Sequence, residues 1–357
     1  MKIEEYFTRL TSGDKLSQAD RIILNLLRVV SFGYAALMRV RAAAYQMSIF
    51  RSRTLPRPVI SVGNLTVGGT GKTPVTAWIA AYFLGKGKKV AVLSRGYGGS
   101  LEGTVAVVSD GVKRVLTPLE AGDEPCLLAD NLPGLIVVIG SSRYDAGQLA
   151  MEQFQPDIFI LDDGFQHLSL KRDLNILLLD ATKPFGNGFV FPAGLLREPE
   201  NAINRCDLVV FTRSNDSDTK LKQIPGHVLA ISSEHRLSGY RKYTAGDFRS
   251  FEELKGLKGL AFAGIANPNQ FFDSLEKFGV KLVATLAFPD HTEYGDDEIA
   301  ALAKLKRSSS ADYLITTTKD AVKLPVNRAS DFPFYVAQLE VFFHDETMLK
   351  AALDKHL

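Results

Sequence analysis

The chain has 357 residues, enough for two domains, and its 46% hydrophobic and 23% charged side chains exclude a disordered or low-complexity protein. Two cysteines, Cys126 and Cys206, exclude a disulfide framework or a cysteine-rich zinc site and point to a reducing compartment. The net charge of +2 conceals an asymmetry: Arg21 to Leu101 holds twelve Lys and Arg with no Asp or Glu, which leaves −10 on the remaining residues. A segment this one-sided is expected to sit against anions, whether nucleotide, phospholipid or phosphorylated substrate.

The start, Met1-Lys-Ile-Glu-Glu-Tyr6, is too acidic for a signal peptide. Ile22 to Met38 follows, a run of 17 residues in which only Asn25, Arg28 and Ser31 are clearly polar. It is short for a spanning helix, which needs about 20 apolar residues. At helical spacing Arg21, Arg28 and Arg39 share a narrow stripe with Asn25 beside them, a pattern suited to lying in an anionic membrane interface. The alternative is a helix packed on its own domain.

Val59-Ile60-Ser61-Val62 reads as a buried strand, Gly63 to Gly71 as a glycine-rich turn, and Val75 to Tyr82 as a helix. In that context Gly-Lys-Thr becomes a phosphate cradle. Gly68, Gly69, Thr70 and Gly71 would direct backbone N–H groups at phosphate oxygens, Lys72 would reach the β- and γ-phosphates, and the Thr73 hydroxyl would ligate Mg²⁺. Thr66 stands where the strict pattern has Gly, and the Gly-Gly-x-Gly-Lys-Thr form instead resembles the loop of partition ATPases, metal-insertion NTPases and some metabolite kinases. Val67 occupies the place of the extra lysine that some of those proteins carry.

Further apolar runs, Lys89–Ser94, Leu135–Ile139, Asp157–Leu161, Leu174–Leu179 and Asp207–Thr212, alternate with helical stretches and predict a parallel sheet covered on both faces. Arg213–Pro225 reads as a helix and linker. The same alphabet then repeats through Leu260–Ala263, Asn269–Phe278, Val280–Leu286, Asp296–Lys306 and Tyr313–Thr317. The expected fold class is therefore α/β: a P-loop NTPase-like parallel-sheet lobe, residues 51–225, and a second, smaller α/β lobe, 226–357. An N-terminal membrane-associating helix within 1–50 precedes them.

Sites in such folds lie at the carboxyl ends of strands. Asp162-Asp163 follows four apolar residues at one such end, where a nucleotide needs carboxylates to hold Mg²⁺. Gly122-Asp123-Glu124-Pro125 puts two more in a turn, a weaker signal. Phe288 to Tyr294 carries an Asp-His pair with His291, a natural proton shuttle near neutral pH. Arg95, Arg143 and Arg197 each adjoin a Gly or small-residue turn, as phosphate-clamping arginines often do.

In order along the chain, Gly63–Pro74, Leu93-Ser-Arg-Gly-Tyr-Gly98, Gly122-Asp-Glu-Pro125, Asp162-Asp-Gly-Phe-Gln-His167, Phe191–Pro199, Phe262–Pro268, Phe288-Pro-Asp-His291 and Thr318–Lys323 form a series. From about residue 20 to about residue 325 this series resembles the tetraacyldisaccharide 4′-kinase family, the lipid A 4′-kinases of Gram-negative bacteria. Leu195 and Thr318 depart from the family pattern. The resemblance implies ATP-dependent phosphorylation of the 4′-hydroxyl of a tetraacylated glucosamine disaccharide 1-phosphate, giving the lipid A precursor. It also implies Mg²⁺, work at the cytoplasmic face of the inner membrane, an anionic membrane surface as partner, and no nucleic acid. It makes Asp123 the general base assisted by His291, and Asp162 with Thr73 the principal Mg²⁺ ligands, Asp163 being the other carboxylate of the pair. The residues alone do not single out Asp123.

Two rivals differ in class. A GTPase or metallochaperone-like switch needs Asn/Thr-Lys-x-Asp after a late strand, and Thr318-Lys319-Asp320 lacks the spacer. A partition-type ATPase dimerises through the lysine that Val67 replaces.

Overall fold

Short β-branched runs bounded by Gly, Pro or Asp become strands here because each can bury both faces. In the computed structural model, which describes residues 3–12, 16–214, 224–243, 247–290, 292–324 and 333–357, the central strand β1 (Val59–Asn64) is buried at every position. It pairs in parallel with β5 (Ile158–Asp162) on one side and β6 (Leu174–Asp180) on the other. Beyond β5 come β2 (Val90–Ser94), β4 (Ile136–Ile139) and an antiparallel edge strand, β3 (Ala106–Asp110). Beyond β6 come β7 (Leu208–Thr212) and then β8 (Leu229–Lys242), 14 residues long.

β8 joins the two halves of the molecule. Leu229 to Ser232 pair in parallel with β7, whereas Ser233 to Lys242 pair antiparallel with β12 (Phe334–Phe343). The order continues through β11 (Tyr313–Thr317), β9 (Lys258–Ala263) and β10 (Lys281–Ala287), so twelve strands form one hydrogen-bonded series. The apolar-run criterion does not find β3, β8 or β12. Ser233, Glu234, His235 and Arg236 interrupt the middle of β8, and its partly exposed positions need only alternation.

Helices cover the sheet on both faces. Alternate residues of one strand serve opposite cores: Val90 and Val92 pack under α3 (Lys72–Gly85) and α5 (Asp123–Asn131), Ala91 and Leu93 under α6 (Arg143–Phe154). The C-terminal helix, α10 (Glu346–Asp354), sends Leu349, Ala352 and Leu353 into the first of these cores, and Asp354 accepts a hydrogen bond from Tyr82 at 2.7 Å. The chain therefore returns to the P-loop lobe after building the second one. In that second lobe α7 (Pro268–Lys277) and α8 (Asp296–Ser309) flank the β9–β10–β11 layer.

Two helices open the chain, α1 (Ile3–Ser12) and α2 (Gln18–Gln46). Ser17 and Asp20 cap α2 reciprocally, which fixes its start. Of its 29 residues four of the five buried ones, Asp20, Leu24, Ser31 and Ala35, fall on one stripe, and Ala44 is covered near the C-terminal end. Ser31 Oγ donates to Val190 O at 2.8 Å, and Ala35 joins a cluster with Leu65 and Phe165. The opposite face leaves Ile22, Leu26, Val29, Val30, Phe32, Leu37 and Val40 exposed. Arg28 stacks over Phe189 at 4.9 Å and donates to Asn25, and Arg41 donates to Gln166 O at 3.0 Å.

Candidate active site

The carboxyl ends of β1, β2, β4, β5 and β6 converge on one edge. β1 ends in Asn64, whose Nδ2 donates to Thr70 Oγ1 at 2.8 Å, while Gln166 Nε2 donates to Asn64 O at 2.9 Å. The loop's outer side is tied by Val67 N to Leu195 O at 2.7 Å and by Arg213 Nη2 to Gly69 O at 2.9 Å, Arg213 itself pairing with Asp180. Gly68 and Gly71 lie at φ +117° and +79°, a region that disfavours any side chain. Gly71 caps α3, and the His235 imidazole of β8 occupies the space a Cβ would need there. Gly71→Ala is therefore expected to dislodge the loop and weaken ATP binding at least tenfold, read by fluorescence titration of a labelled ATP analogue.

Lys72 opens α3 with Nζ 3.5 Å from Asn64 Oδ1 and 3.7 Å from Asp163 Oδ1. Thr73, one residue on, is buried. At the end of β5 the two aspartates part company. Asp162 is 1% exposed and its Oδ1 accepts from Thr76 Oγ1 at 2.9 Å. Asp163, at φ +53°, turns to Arg197, whose Nη1 meets its two oxygens at 2.7 and 2.9 Å.

Burial, then the charges of Glu124 and Asp163, pushes the Asp162 carboxyl up from 3.8 to about 7, with Thr76 and Lys72 opposing. Because the folded value lies above the unfolded one, the contribution of Asp162 to stability is complete below about pH 4 and is lost as pH rises through 7. Asp162→Asn should accordingly stabilise the ligand-free protein at pH 8 by roughly 1–3 kcal/mol and hardly at all at pH 4. Calorimetric melting at the two pH values checks this, and an equal gain at both would refute it.

The three arginines have different settings. Arg143 begins α6 and is 4% exposed, donating to Gly140 O at 2.8 Å; burial pulls its guanidinium down to about 10, with Asp162 and Asp163 opposing. Arg197 is engaged by Asp163, and Arg95, the most exposed, pairs with Glu102 at 3.0 Å. Asp123 opens α5 across the edge, and Lys323 of the second lobe lies 3.6 Å from its Oδ2. His291 lies outside the described residues.

Sequence reasoning missed Thr76, Arg213 and His235, and gave Glu124 and Lys323 no role. Glu124 stood in the turn beside Asp123, and its signal was the pair of carboxylates itself. Thr76 is one helical turn past Lys72 and could have been placed by periodicity. Arg213 and His235 reach the site from distant segments and give no local signal, whereas Lys323 closes the Thr318–Lys323 motif without showing its partner.

A family model described as tetraacyldisaccharide-1-P 4′-kinase matches residues 23–357. The tetraacyldisaccharide 4′-kinase of Geobacter metallireducens is 52% identical over 338 residues, 95% of this chain and 99% of the relative. That of Geobacter sulfurreducens is 48% identical over 357 residues and the whole of both chains. A crystal structure of the Aquifex aeolicus enzyme LpxK, described as a complex with ATP, superposes with TM-score 0.80 at 33% identity, covering 93% of this chain and 99% of that one. With a P-loop facing the buried Asp162 carboxylate and likeness along its full length, the chain belongs to the tetraacyldisaccharide 4′-kinase family.

Proposed function

We propose that this chain transfers the γ-phosphoryl group of ATP to the 4′-hydroxyl of a tetraacylated disaccharide 1-phosphate, with the residues of the β1–β5 edge in the roles below. The observation that carries the assignment of roles is the convergence of Lys72, Asp162 and Asp163 around one loop at the carboxyl ends of parallel strands, with Asp123 next to Glu124, whose charge reaches Asp162. The backbone N–H groups of Gly68 to Gly71 cradle the phosphates, and Lys72 neutralises charge at the β- and γ-oxygens. Among the described residues no three His, Cys, Asp or Glu form a metal cage. Mg²⁺ rarely takes one, preferring one or two carboxylates beside substrate phosphates. Asp162 and the Thr73 hydroxyl, with Asp163 as the other carboxylate, would supply hard oxygen donors of that kind, and Mg²⁺ there would neutralise charge on the transferring group. Arg197, Arg143 and Arg95 are assigned to the anionic groups of the substrates, Arg197 exchanging its Asp163 partner for phosphate.

Asp123 accepts the proton of the acceptor hydroxyl, with His291 as its assistant. The guanine-switch reading finds no support in the Thr318-Lys319-Asp320 turn. Asp320 is fully buried and accepts from Gly264 N, Tyr294 Oη and Thr317 Oγ1, which leaves it unable to read a base. The chain divides by function into a membrane-facing segment near 1–50, a nucleotide lobe near 51–225 and an acceptor lobe near 226–357, with β8 as the bridge and α10 returning to the nucleotide lobe. Transfer of ³²P from ATP to tetraacyldisaccharide 1-phosphate in detergent micelles tests the function. Equal transfer from GTP, or none to the lipid, would sink it.

α2 supports docking on an anionic inner-membrane surface at its cytoplasmic face, with no role for nucleic acid. Its buried stripe binds it to the protein from Asp20 to Ala35, so lying in the interface fits better than spanning. The exposed apolar face and the exposed Arg21 and Arg39 of the same helix then face the lipid together. Changing Leu26, Val29 and Val30, all more than half exposed, to Asp should leave the fold intact and cut vesicle partitioning more than tenfold, since each apolar side chain contributes roughly 1.5–3 kcal/mol when buried. Unchanged sedimentation with anionic vesicles would refute the interface.

A further inference from the structure

Lys323 follows β11 and the short helix α9 (Thr318–Ala321) of the second lobe, yet its ammonium points out of that lobe toward Asp123. Its side chain is 5% exposed, and Nζ lies 3.6 Å from Asp123 Oδ2 and 3.8 Å from Asp320 Oδ1. At those distances it has two ion pairs and no hydrogen bond to any described residue. Buried ammonium groups are costly unless their donors are used.

The two carboxylates are not equivalent. Asp320 already takes Gly264 N and Tyr294 Oη on Oδ1, and Thr317 Oγ1 on Oδ2, at 2.7–3.0 Å. Its place in the second lobe is fixed without the lysine. The Tyr294 ring, 5.8 Å from Nζ, closes the other side. The direction left for the ammonium to complete a hydrogen bond is toward Asp123, on the opposite lobe.

We propose that Lys323 is a positioning residue: it orients the Asp123 carboxylate from across the lobe boundary, so that the base is set only when the acceptor lobe is in place. An approach of under about an ångström turns the ion pair into a charge-assisted hydrogen bond to Oδ2, which fixes the orientation of the carboxylate. Asp320 acts as the anvil behind the lysine. This rests on the reading of Asp123 as the base.

The test is a double-mutant cycle on the full-length enzyme in micelles, with kcat and the KM values for ATP and tetraacyldisaccharide 1-phosphate measured for Lys323→Met, Asp123→Asn and the pair. Lys323→Met is expected to lower kcat roughly 10- to 100-fold, as displacement of a reacting group does. Both KM values should stay within about threefold. Lys323→Arg should recover most of the loss. In the Asp123→Asn background the same lysine change should cost under about threefold, because nothing remains to orient.

An equal cost in both backgrounds would mean that Lys323 merely supports Asp320, and would overturn the proposal. So would a loss confined to the KM of the lipid, which would make the lysine a ligand of substrate anions. Near-wild-type kcat in Asp123→Asn overturns the base assignment and the proposal with it. An impaired Asp123→Asn beside an unimpaired Lys323→Met overturns the proposal alone. Should Lys323→Met not fold, judged by thermal melting, Lys323→Gln takes its place in the cycle with the same outcomes.

Discussion

Asp123→Ala is expected to lower kcat by roughly 10²–10⁴-fold while leaving ATP affinity within about a factor of three. A sugar hydroxyl is a poor nucleophile at neutral pH, and its proton must leave as the new P–O bond forms. Asp123 is placed for this at the first turn of α5, on the nucleotide edge but away from the P-loop ties that hold Gly69 and Thr70. Gly122 makes the placement possible: at φ +88° its hydrogen faces Tyr97 O, where a Cβ would approach to 2.5 Å. His291→Ala should cost less than Asp123→Ala, and the double variant clearly less than the product of the two. Multiplying losses would refute the pair. A variant that instead fails to bind Mg·ATP would make Asp123 part of the metal shell and move the base to Asp162 or Asp163. Equilibrium binding of a non-hydrolysable ATP analogue, set beside single-turnover transfer, separates these outcomes.

Lys72→Ala should reduce phosphoryl transfer by roughly 10³-fold or more. Its ammonium lies within 4 Å of both Asn64, the last residue of β1, and the post-β5 carboxylate Asp163, so it links cradle and metal side of the site. Charge grows on the bridging and equatorial oxygens as the phosphoryl group moves, and a fixed cation in a poorly hydrated site stabilises that charge more than it stabilises bound ATP. The loss should therefore fall mainly on kcat. Lys72→Arg should not restore activity, since a planar guanidinium replaces a compact charge with one that pairs side by side with carboxylates. Asp163 is already engaged in that way by Arg197. Near-normal turnover by Lys72→Ala would refute the P-loop assignment.

The sequence by itself determined the parts of this protein whose cause is local. β1, the glycine-rich turn and α3 were legible because a buried strand, a loop requiring φ above zero at Gly68 and Gly71, and a helix N-terminus each have a compositional cause within a few residues. Asp162-Asp163 was legible because two carboxylates after four apolar residues have few structural uses. The resemblance of the whole motif series supplied the family, to which the chain does belong.

Tertiary structure decided everything that depends on which segments meet. It separated the aspartate pair into a buried Asp162 held by Thr76 and an Asp163 held by Arg197. Neither partner could be assigned from the pair, since Thr76 comes from α3 and Arg197 from the loop after β6. It joined the two halves through β8, whose polar middle looks unlike a strand because pairing with β7 over Leu229–Ser232 and with β12 over Ser233–Lys242, not burial on both faces, keeps it in place. It also set α2 along the protein by a narrow stripe of small and polar residues, Ser31 and Ala35 among them, where the sequence showed only a broadly apolar helix. Finally it set Lys323 against Asp123, 200 positions apart in sequence, because an ion pair depends on distance through space and leaves no mark on the residues beside either partner.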